Sequence, residues 1–224
     1  MRIRVRHCKL GPLVFLSQLD LVNTMLQALR RARVPFALSE GFNPKPRISY
    51  GLPLPVGAGS LAEYFDLILK EAIAPGQLKE KLQAQLPDFL RVEKVWEIAD
   101  REPAIQASVC AADYYFWMPI LDAGAQEHIE DFLVQKQWDF VDRRGREKDL
   151  KKLVWEIEFL KIKQGLAGFK ITAAAGSREN LRPGDFCELI KKSAKGSIGS
   201  PGRILRCEIY YRGSGGLLTP FSGG

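Results

Sequence analysis

The chain has 224 residues, 46% of them hydrophobic and 26% charged, and its formal net charge is +7. These proportions are typical of a globular protein with one large or two small domains, and they exclude an intrinsically disordered or collagen-like chain. The sequence contains no run of eighteen apolar residues, and its first residues alternate charged with apolar side chains. These two features exclude a membrane-spanning helix and a signal peptide, so we expect a cytosolic protein.

The residue types needed for most cofactor sites are sparse. The four cysteines form no C-x-x-C pair, and the two histidines, His7 and His128, lie far apart in the sequence. This pattern argues against a zinc site, an iron–sulfur cluster and a disulfide framework. Phosphate-binding motifs of the P-loop and dinucleotide types are also missing. We therefore predict no cofactor, no metal and no catalytic residue.

The positive charge is concentrated near the N-terminus. The first fifty residues contain nine lysines and arginines but only Asp20 and Glu40 as acids, whereas acids and bases balance in the rest of the chain. Such an asymmetry is typical of a surface that binds a polyanion, most plausibly nucleic acid. A basic face that is merely solvated remains the alternative.

The N-terminal half predicts alternating strands and helices. Residues 2–6 alternate arginine with Ile3 and Val5, which indicates a strand with three arginines on one face. Ser17 is a suitable N-cap for a helix with Asp20 in its first turn, and that helix stops before Pro35. The apolar stripe predicted for this helix is Leu19, Val22, Leu26 and Leu29.

The central feature of this half is the segment 39–57, which holds four prolines and three glycines. Prolines fix the backbone, so this is a shaped loop and not a flexible linker. Phe42 and Tyr50 are its predicted aromatic anchors, and Lys45 and Arg47 are cations placed between prolines. Ordered loops with cations hold anionic ligands in many proteins. A purely structural loop whose aromatic side chains fill the core is the alternative.

The remaining elements complete two similar units. With residues 2–6 and the first helix, strands predicted at 36–39, 63–69 and 90–98 and a helix that begins at Pro75 give a ferredoxin-like β-α-β-β-α-β order for residues 1–100. Residues 47–50 also alternate as a short strand at the end of the proline-rich loop. Residues 99–108 are predicted to be a linker. Residues 109–212 repeat the order with one extra strand, and residues 213–224 are predicted to be a disordered tail. The predicted fold class is therefore α+β, with two tandem ferredoxin-like domains.

RNA requires cations for its phosphates and aromatic rings on which its bases can stack. The first domain supplies both, and the predicted nucleic-acid-binding residues are Arg2, Arg4, Arg6, Arg30, Arg31, Arg33, Phe42, Asn43, Lys45, Arg47 and Tyr50.

Several stretches resemble a known bacterial family, the radical-SAM-linked proteins, which are encoded beside or fused to a radical SAM protein with a cobalamin-binding-like region. The matching stretches are FLSQLD, QALRRARVPF, EGFNPKPRISYGLPLPVG and EYFDL, with a weaker match at LRPGDF. The resemblance implies a radical SAM partner. The family pattern has His at Gln18, Gln at Glu40 and His at Lys45, and these departures weaken any idea of a histidine acid or base there. The chain also lacks the C-x-x-x-C-x-x-C cluster motif of the radical enzyme itself.

The sequence thus predicts an accessory subunit that has no catalytic activity by itself. It is expected to bind RNA and to present it to a radical SAM enzyme. Two alternatives stay open at this point. One is a metal-independent RNA endonuclease or modification subunit that uses Lys45, Arg47 and Tyr50. The other is a protein-only adaptor whose basic loop docks on the radical SAM protein.

Overall fold

The computed structural model describes residues 1–221, and for residues 161–163 it describes the backbone only. The chain is of the α+β class, as the sequence predicts, and it divides into two compact units, of which the first is Met1–Val109 and the second begins at Cys110.

Unit 1 is a small antiparallel sheet with two helices. Its elements in chain order are β1 (Arg2–Lys9), α1 (Gln18–Arg31), β2 (Ile48–Tyr50), β3 (Ala58–Ile68), α2 (Pro75–Gln83), β4 (Val92–Ile98) and the short helix α3 (Ile105–Ser108). The strands lie in the order β4-β1-β3-β2, and every neighbouring pair is antiparallel. The β-α-β-β-α-β order predicted for residues 1–100 is present, but its second strand is Ile48–Tyr50. The strand predicted at residues 36–39 is wrong, because the structure has only isolated bridges at Phe36 and Leu38 there. The assignment to the ferredoxin-like fold stays a prediction.

The core of unit 1 lies between the sheet and its two helices. Ile3 and Val5 of β1 face this core together with Phe65 and Leu67 of β3, because alternate residues of a strand point to the same face. The apolar stripe predicted for α1 is only partly right. Leu29 is buried and Leu26 packs against the core, whereas Leu19 is 67% exposed. The other residues that α1 buries are Leu21, Met25 and Ala28.

The opposite face of the same sheet carries the arginines of β1, and there the sequence prediction fails for Arg4. Its Nε donates to Asp66 Oδ1 at 2.7 Å, and the Arg2 guanidinium donates to Asp66 Oδ2 at 2.7 Å. Arg4 is 1% exposed and Asp66 is 2% exposed. An arginine buried by its own ion pair is not available to a ligand.

Residues 99–108 were predicted to be a linker, but they cover part of this arginine face. Arg2 donates to the carbonyls of Asp100 and Glu102, and Arg4 donates to the carbonyl of Pro103. Ile105 of α3 is fully buried and its side chain lies close to Gly51. The segment is therefore held in place by the β1 arginines.

Unit 2 repeats the pattern with an added hairpin. Its elements are β5 (Val109–Pro119), α4 (Ala125–Leu133), β6 (Asp139–Val141), β7 (Glu147–Asp149), β8 (Val154–Lys163), β9 (Leu166–Ala174), α5 (Pro183–Ser193), β10 (Arg203–Gly213) and β11 (Gly216–Leu218). The strands of its main sheet follow the order β10-β5-β9-β8, and β6 and β7 pair separately as a two-stranded sheet. One extra strand is predicted for residues 109–212, and the structure has two strands, β6 and β7, outside the main sheet.

The core of unit 2 is rich in aromatic rings. Phe116 and Phe169, from adjacent strands, contact Phe186 of α5 with ring centroids 4.9 and 6.0 Å apart. The chain beyond β10 turns back as β11, which pairs with β10. The predicted disordered tail is therefore wrong for Gly213 and Gly216–Leu218, while residues 222–224 lie outside the described residues.

We expect Asp66→Ala to be among the most destabilising substitutions in unit 1. It leaves the buried guanidinium of Arg4 and the partly buried one of Arg2 without their carboxylate. Breaking a buried pair in this way costs about 3–5 kcal/mol. The check is the free energy of unfolding from urea titration. The double variant Arg4→Met/Asp66→Leu removes the main pair together and should recover most of that loss. Equal losses in the two variants would show that the ion pair does not hold the sheet together.

Candidate nucleic-acid interface

The predicted site residues do not form one surface. Arg4 is buried on the sheet, and Arg2 is largely enclosed by Asp66 and the carbonyls of residues 100 and 102. Arg6 is partly buried, where its Nε donates to the Leu61 carbonyl and its guanidinium lies 5.8 Å from the Tyr64 ring. The β1 arginines therefore serve mainly to hold unit 1 together.

Tyr50 is also placed differently from the prediction. It lies on the face of β2 that packs on the core, where its ring centroid is 5.7 Å from that of Phe65. Burial raises the pKa of Tyr50 above its usual value. Because Tyr50 points inward while Lys45 and Arg47 are exposed, the three residues of the predicted RNA-processing site do not converge on one surface.

The loop that carries Phe42 closes on itself at Ser39 and Lys45. The Ser39 amide donates to the Lys45 carbonyl at 2.7 Å, and the Lys45 amide donates to Ser39 Oγ at 3.0 Å. Pro44 and Pro46 restrict the residues before them to extended conformations. Gly41 has a φ of +111°, which favours glycine. The result is a closed loop with a defined shape and not a flexible segment.

The tip of this loop is fully solvent-exposed. Phe42 has no buried surface, and Asn43 and Lys45 are exposed beside it. The whole Phe42 ring is therefore open to solvent, and it is carried by a closed backbone. Glu40 is the acidic residue at this tip.

The stem of the loop joins the end of β3. The Arg47 amide donates to the Ala37 carbonyl at 2.9 Å, and the Ile68 amide donates to the Arg47 carbonyl at 3.1 Å. Ala37 follows Arg33 by only four residues, which is at most about 14 Å of chain. The C-terminus of α1 and the loop therefore stand at the same end of unit 1.

The end of α1 places three arginines at this position. The Val34 amide donates to the Leu29 carbonyl and the Arg33 amide to the Arg30 carbonyl, a Schellman cap that needs a left-handed residue at Arg33. Arg33 has a φ of +52°, where glycine is usual. Arg31 donates to the Gln85 carbonyl at 2.7 Å, while Arg30 and Arg33 are exposed.

We call the exposed residues of these two segments the basic end, and its members are Arg30, Arg31, Arg33, Phe42, Asn43, Lys45 and Arg47. Within residues 1–221 the side chains of Arg30, Arg33, Lys45 and Arg47 have no hydrogen bond or ion pair, so their charges are available to a ligand. No group of three or more His, Cys, Asp or Glu in the described part of the chain could hold a metal ion. None of the helices described is both long and apolar enough to cross a membrane.

A family described as uncharacterized protein conserved in bacteria (DUF2344) matches residues 2–183 of the sequence. The chain belongs to this DUF2344 family. No curated protein matches the sequence. The radical SAM linkage implied by the resemblance at FLSQLD and its neighbouring stretches is a separate matter and stays a prediction.

Among solved structures, the chain is similar to protein chains of three complexes, two of which are described as H/ACA complexes. For a Cbf5–Nop10–Gar1 complex the TM-score is 0.50 at 12% identity, covering 92% of this chain and 48% of that chain. For an H/ACA particle bound to a substrate RNA the TM-score is 0.48 at 13% identity, covering 91% of this chain and 46% of that chain. For an archaeal Nop10–Cbf5 complex the TM-score is 0.46 at 11% identity, with the same coverage of the two chains. The DUF2344 chain spans about half the length of those chains, and the likeness concerns the fold alone.

Sequence reasoning missed the left-handed Arg33 because no glycine marks the end of α1. The one signal is Val34-Pro35, which ends the helix without supplying a residue suited to the cap. Arg33 therefore carries backbone strain that glycine would avoid.

We expect Arg33→Gly to leave the DUF2344 chain as stable as before or more stable, by up to about 1 kcal/mol. Glycine removes the left-handed strain, although it also gains freedom in the unfolded chain. Urea unfolding checks this, with Arg30→Gly as the control. Arg30 lies inside the helix, where glycine costs about 1 kcal/mol. A clear loss of stability with Arg33→Gly would show that the side chain has a structural role.

Proposed function

We propose that this DUF2344 protein is an RNA-binding accessory subunit that contacts RNA through the basic end. The observation that carries the proposal is the pairing of unpartnered exposed cations with the fully exposed Phe42 on a closed loop. Cations neutralise phosphates, and an exposed ring offers a surface on which an unpaired base can stack. Unpaired RNA presents phosphates and free bases together, so single-stranded or looped RNA is the proposed ligand.

The proposal differs from the sequence prediction in the residues that bind. It omits Arg4 and Tyr50, which are buried or packed on the core, and it does not require Arg2 or Arg6. It retains Arg30, Arg31, Arg33, Phe42, Asn43, Lys45 and Arg47. Because Lys45, Arg47 and Tyr50 do not meet on one surface, we do not extend the proposal to an RNA-processing activity of the chain itself.

The proposed partner is a radical SAM enzyme, to which the bound RNA would be presented. This part of the proposal rests only on the resemblance at FLSQLD and the adjoining stretches. Its test is co-purification of the chain with a radical SAM protein encoded beside it, before and after ribonuclease treatment. An association that survives ribonuclease and high salt favours direct docking, and no association at all contradicts the partnership.

We expect Lys45→Ala/Arg47→Ala to weaken binding and to lower its salt dependence. For single strands, log K falls with log salt by about 0.7 for each phosphate neutralised, so losing two contacts should reduce the slope by about 1.4. The measurement is fluorescence anisotropy with a labelled 60-nucleotide oligouridylate, titrated from low to physiological salt.

The matched control for this double variant is Arg101→Ala/Arg178→Ala. It removes the same net charge from two exposed arginines outside the basic end. The control should bind as the unchanged chain does, apart from a small general charge effect. If both double variants lose the same affinity and slope, binding responds only to net charge and the basic end is not the site.

Phe42→Ala should weaken binding without a change in salt slope. Stacking of one base on an aromatic side chain is worth about 1–3 kcal/mol, or about 5- to 150-fold in affinity. Phe42 contributes no buried surface to the fold, so the variant should unfold at the same urea concentration. Unchanged affinity for the oligouridylate would remove the stacking part of the proposal and leave a purely electrostatic site.

A further inference from the structure

Unit 2 contains a basic hairpin that lies outside its main sheet. Strands β6 and β7 pair only with each other, and the turn between them is Asp142, Arg143, Arg144, Gly145 and Arg146. We call these five residues the arginine turn. The proposed function does not involve them, and neither the family match nor the similar structures assign them a role.

The turn is organised by one carboxylate. Asp142 Oδ1 accepts the amides of Arg144 and Arg146 at 2.9 and 3.1 Å, and Asp142 Oδ2 accepts Nε of Arg146 at 2.9 Å. Lys148 Nζ lies 3.0 Å from the same oxygen. The hydrogen bond from the Arg146 side chain, supported by those from Lys148 and the two backbone amides, holds the pKa of Asp142 well below its usual range. Gly145 has a φ of +75°, which completes the turn.

This arrangement separates the cations of the hairpin into two groups. Arg146 and Lys148 form ion pairs with Asp142. Arg143 and Arg144 are exposed, and their side chains have no hydrogen bond or ion pair within residues 1–221. Asp142 is largely buried, at 6% exposure, so its charge is satisfied internally while two guanidinium groups project into solvent from a fixed backbone.

The base of the hairpin is anchored in the core of unit 2. Trp138, just before β6, is 1% exposed and stacks on Phe132 with ring centroids 4.7 Å apart. Its amide donates to Asp149 Oδ1 at 2.9 Å. Phe140 of β6 is buried beneath Lys192 of α5. Packing at its base therefore holds the hairpin, and with it the turn, in a defined position.

The chemistry of the turn fits phosphate better than a protein surface. Arginine presents paired donors that match two phosphate oxygens. Protein interfaces depend on buried apolar or aromatic anchors at their centre, and the only large apolar side chain exposed beside the turn is Val141 among the residues described. Asp139 and Glu147 are exposed acids on the hairpin strands, so the positive charge is concentrated at the turn.

We infer that the arginine turn is a second RNA contact, in which Arg143 and Arg144 bind backbone phosphates. The inference rests on the proposed function, since it assumes that RNA is the ligand, and it adds a separate site in unit 2. Phosphate contacts carry no sequence information, so this site would position RNA and increase affinity without selecting bases.

The test is the variant Arg143→Ala/Arg144→Ala, which keeps Asp142 and its bonds. With the labelled 60-nucleotide oligouridylate we expect affinity at 50 mM salt to fall at least about tenfold and the salt slope to fall by about 1.4. Arg143→Lys/Arg144→Lys should keep the slope and recover only part of the affinity, because lysine lacks the paired donors. Arg101→Ala/Arg178→Ala is again the charge-matched control, and thermal unfolding verifies the fold of each variant.

The outcomes separate this inference from the proposed function. If the Arg143→Ala/Arg144→Ala variant keeps wild-type affinity and salt slope while Lys45→Ala/Arg47→Ala loses affinity, the arginine-turn site is overturned and the basic end is supported. The reverse result supports the arginine turn and overturns the basic end. Wild-type binding by both variants contradicts both sites. Equal affinity for oligouridylate and for polyglutamate of similar length would show that the turn accepts acidic chains in general, which would overturn the RNA assignment.

Discussion

The pairing of Asp66 with Arg2 and Arg4 determines which charges of unit 1 reach the solvent. Asp66 lies on β3 opposite Arg4 on β1, and its two oxygens bind both arginines at 2.7 Å. Neutralising a buried guanidinium requires a carboxylate at this position, since a buried unpaired charge is very costly. The same arginines hold residues 100–103 through carbonyl groups. One carboxylate thus closes the arginine face and keeps the following segment on it.

This pairing also explains why the charge distribution in the sequence overstates the binding surface. Of the nine cations in the first fifty residues, Arg4 and Lys9 are buried, and Lys9 donates to the Leu16 carbonyl at 2.9 Å. Arg2 and Arg6 are partly enclosed. The cations that remain exposed come from the end of α1 and from the loop after it. The exposed cations of the first fifty residues therefore come from two short segments and not from the strand that looks most basic.

The sequence predicts the helices and strands better than it predicts which face of each element is buried. The alternation in residues 2–6 and the cap of α1 at Ser17 are local properties, and the structure confirms both. The buried face of α1 depends on the sheet beneath it, and QLDLVNTMLQALRR carries apolar residues on two sides. The burial of Arg4 depends on Asp66, which is 62 positions away. Long-range pairing of this kind leaves no signal in a single sequence. Phe42, whose exposure follows from a proline-rich closed loop, was within reach of local reasoning, whereas the strained backbone of Arg33 was not.

The basic end and the arginine turn both place exposed guanidinium groups on a fixed backbone, but by different means. Residue 33 sustains a left-handed backbone in order to end a helix with a cation where glycine would fit more easily. The arginine turn uses Asp142 to shape a hairpin tip, and this carboxylate forms ion pairs with Arg146 and Lys148. In both cases the exposed guanidinium groups project from a backbone fixed before any ligand arrives. Rigid placement lowers the entropy lost on binding, which favours a surface that holds an extended, uniformly charged chain. The proposed RNA ligand, whose charges repeat along a backbone, would gain from such an arrangement.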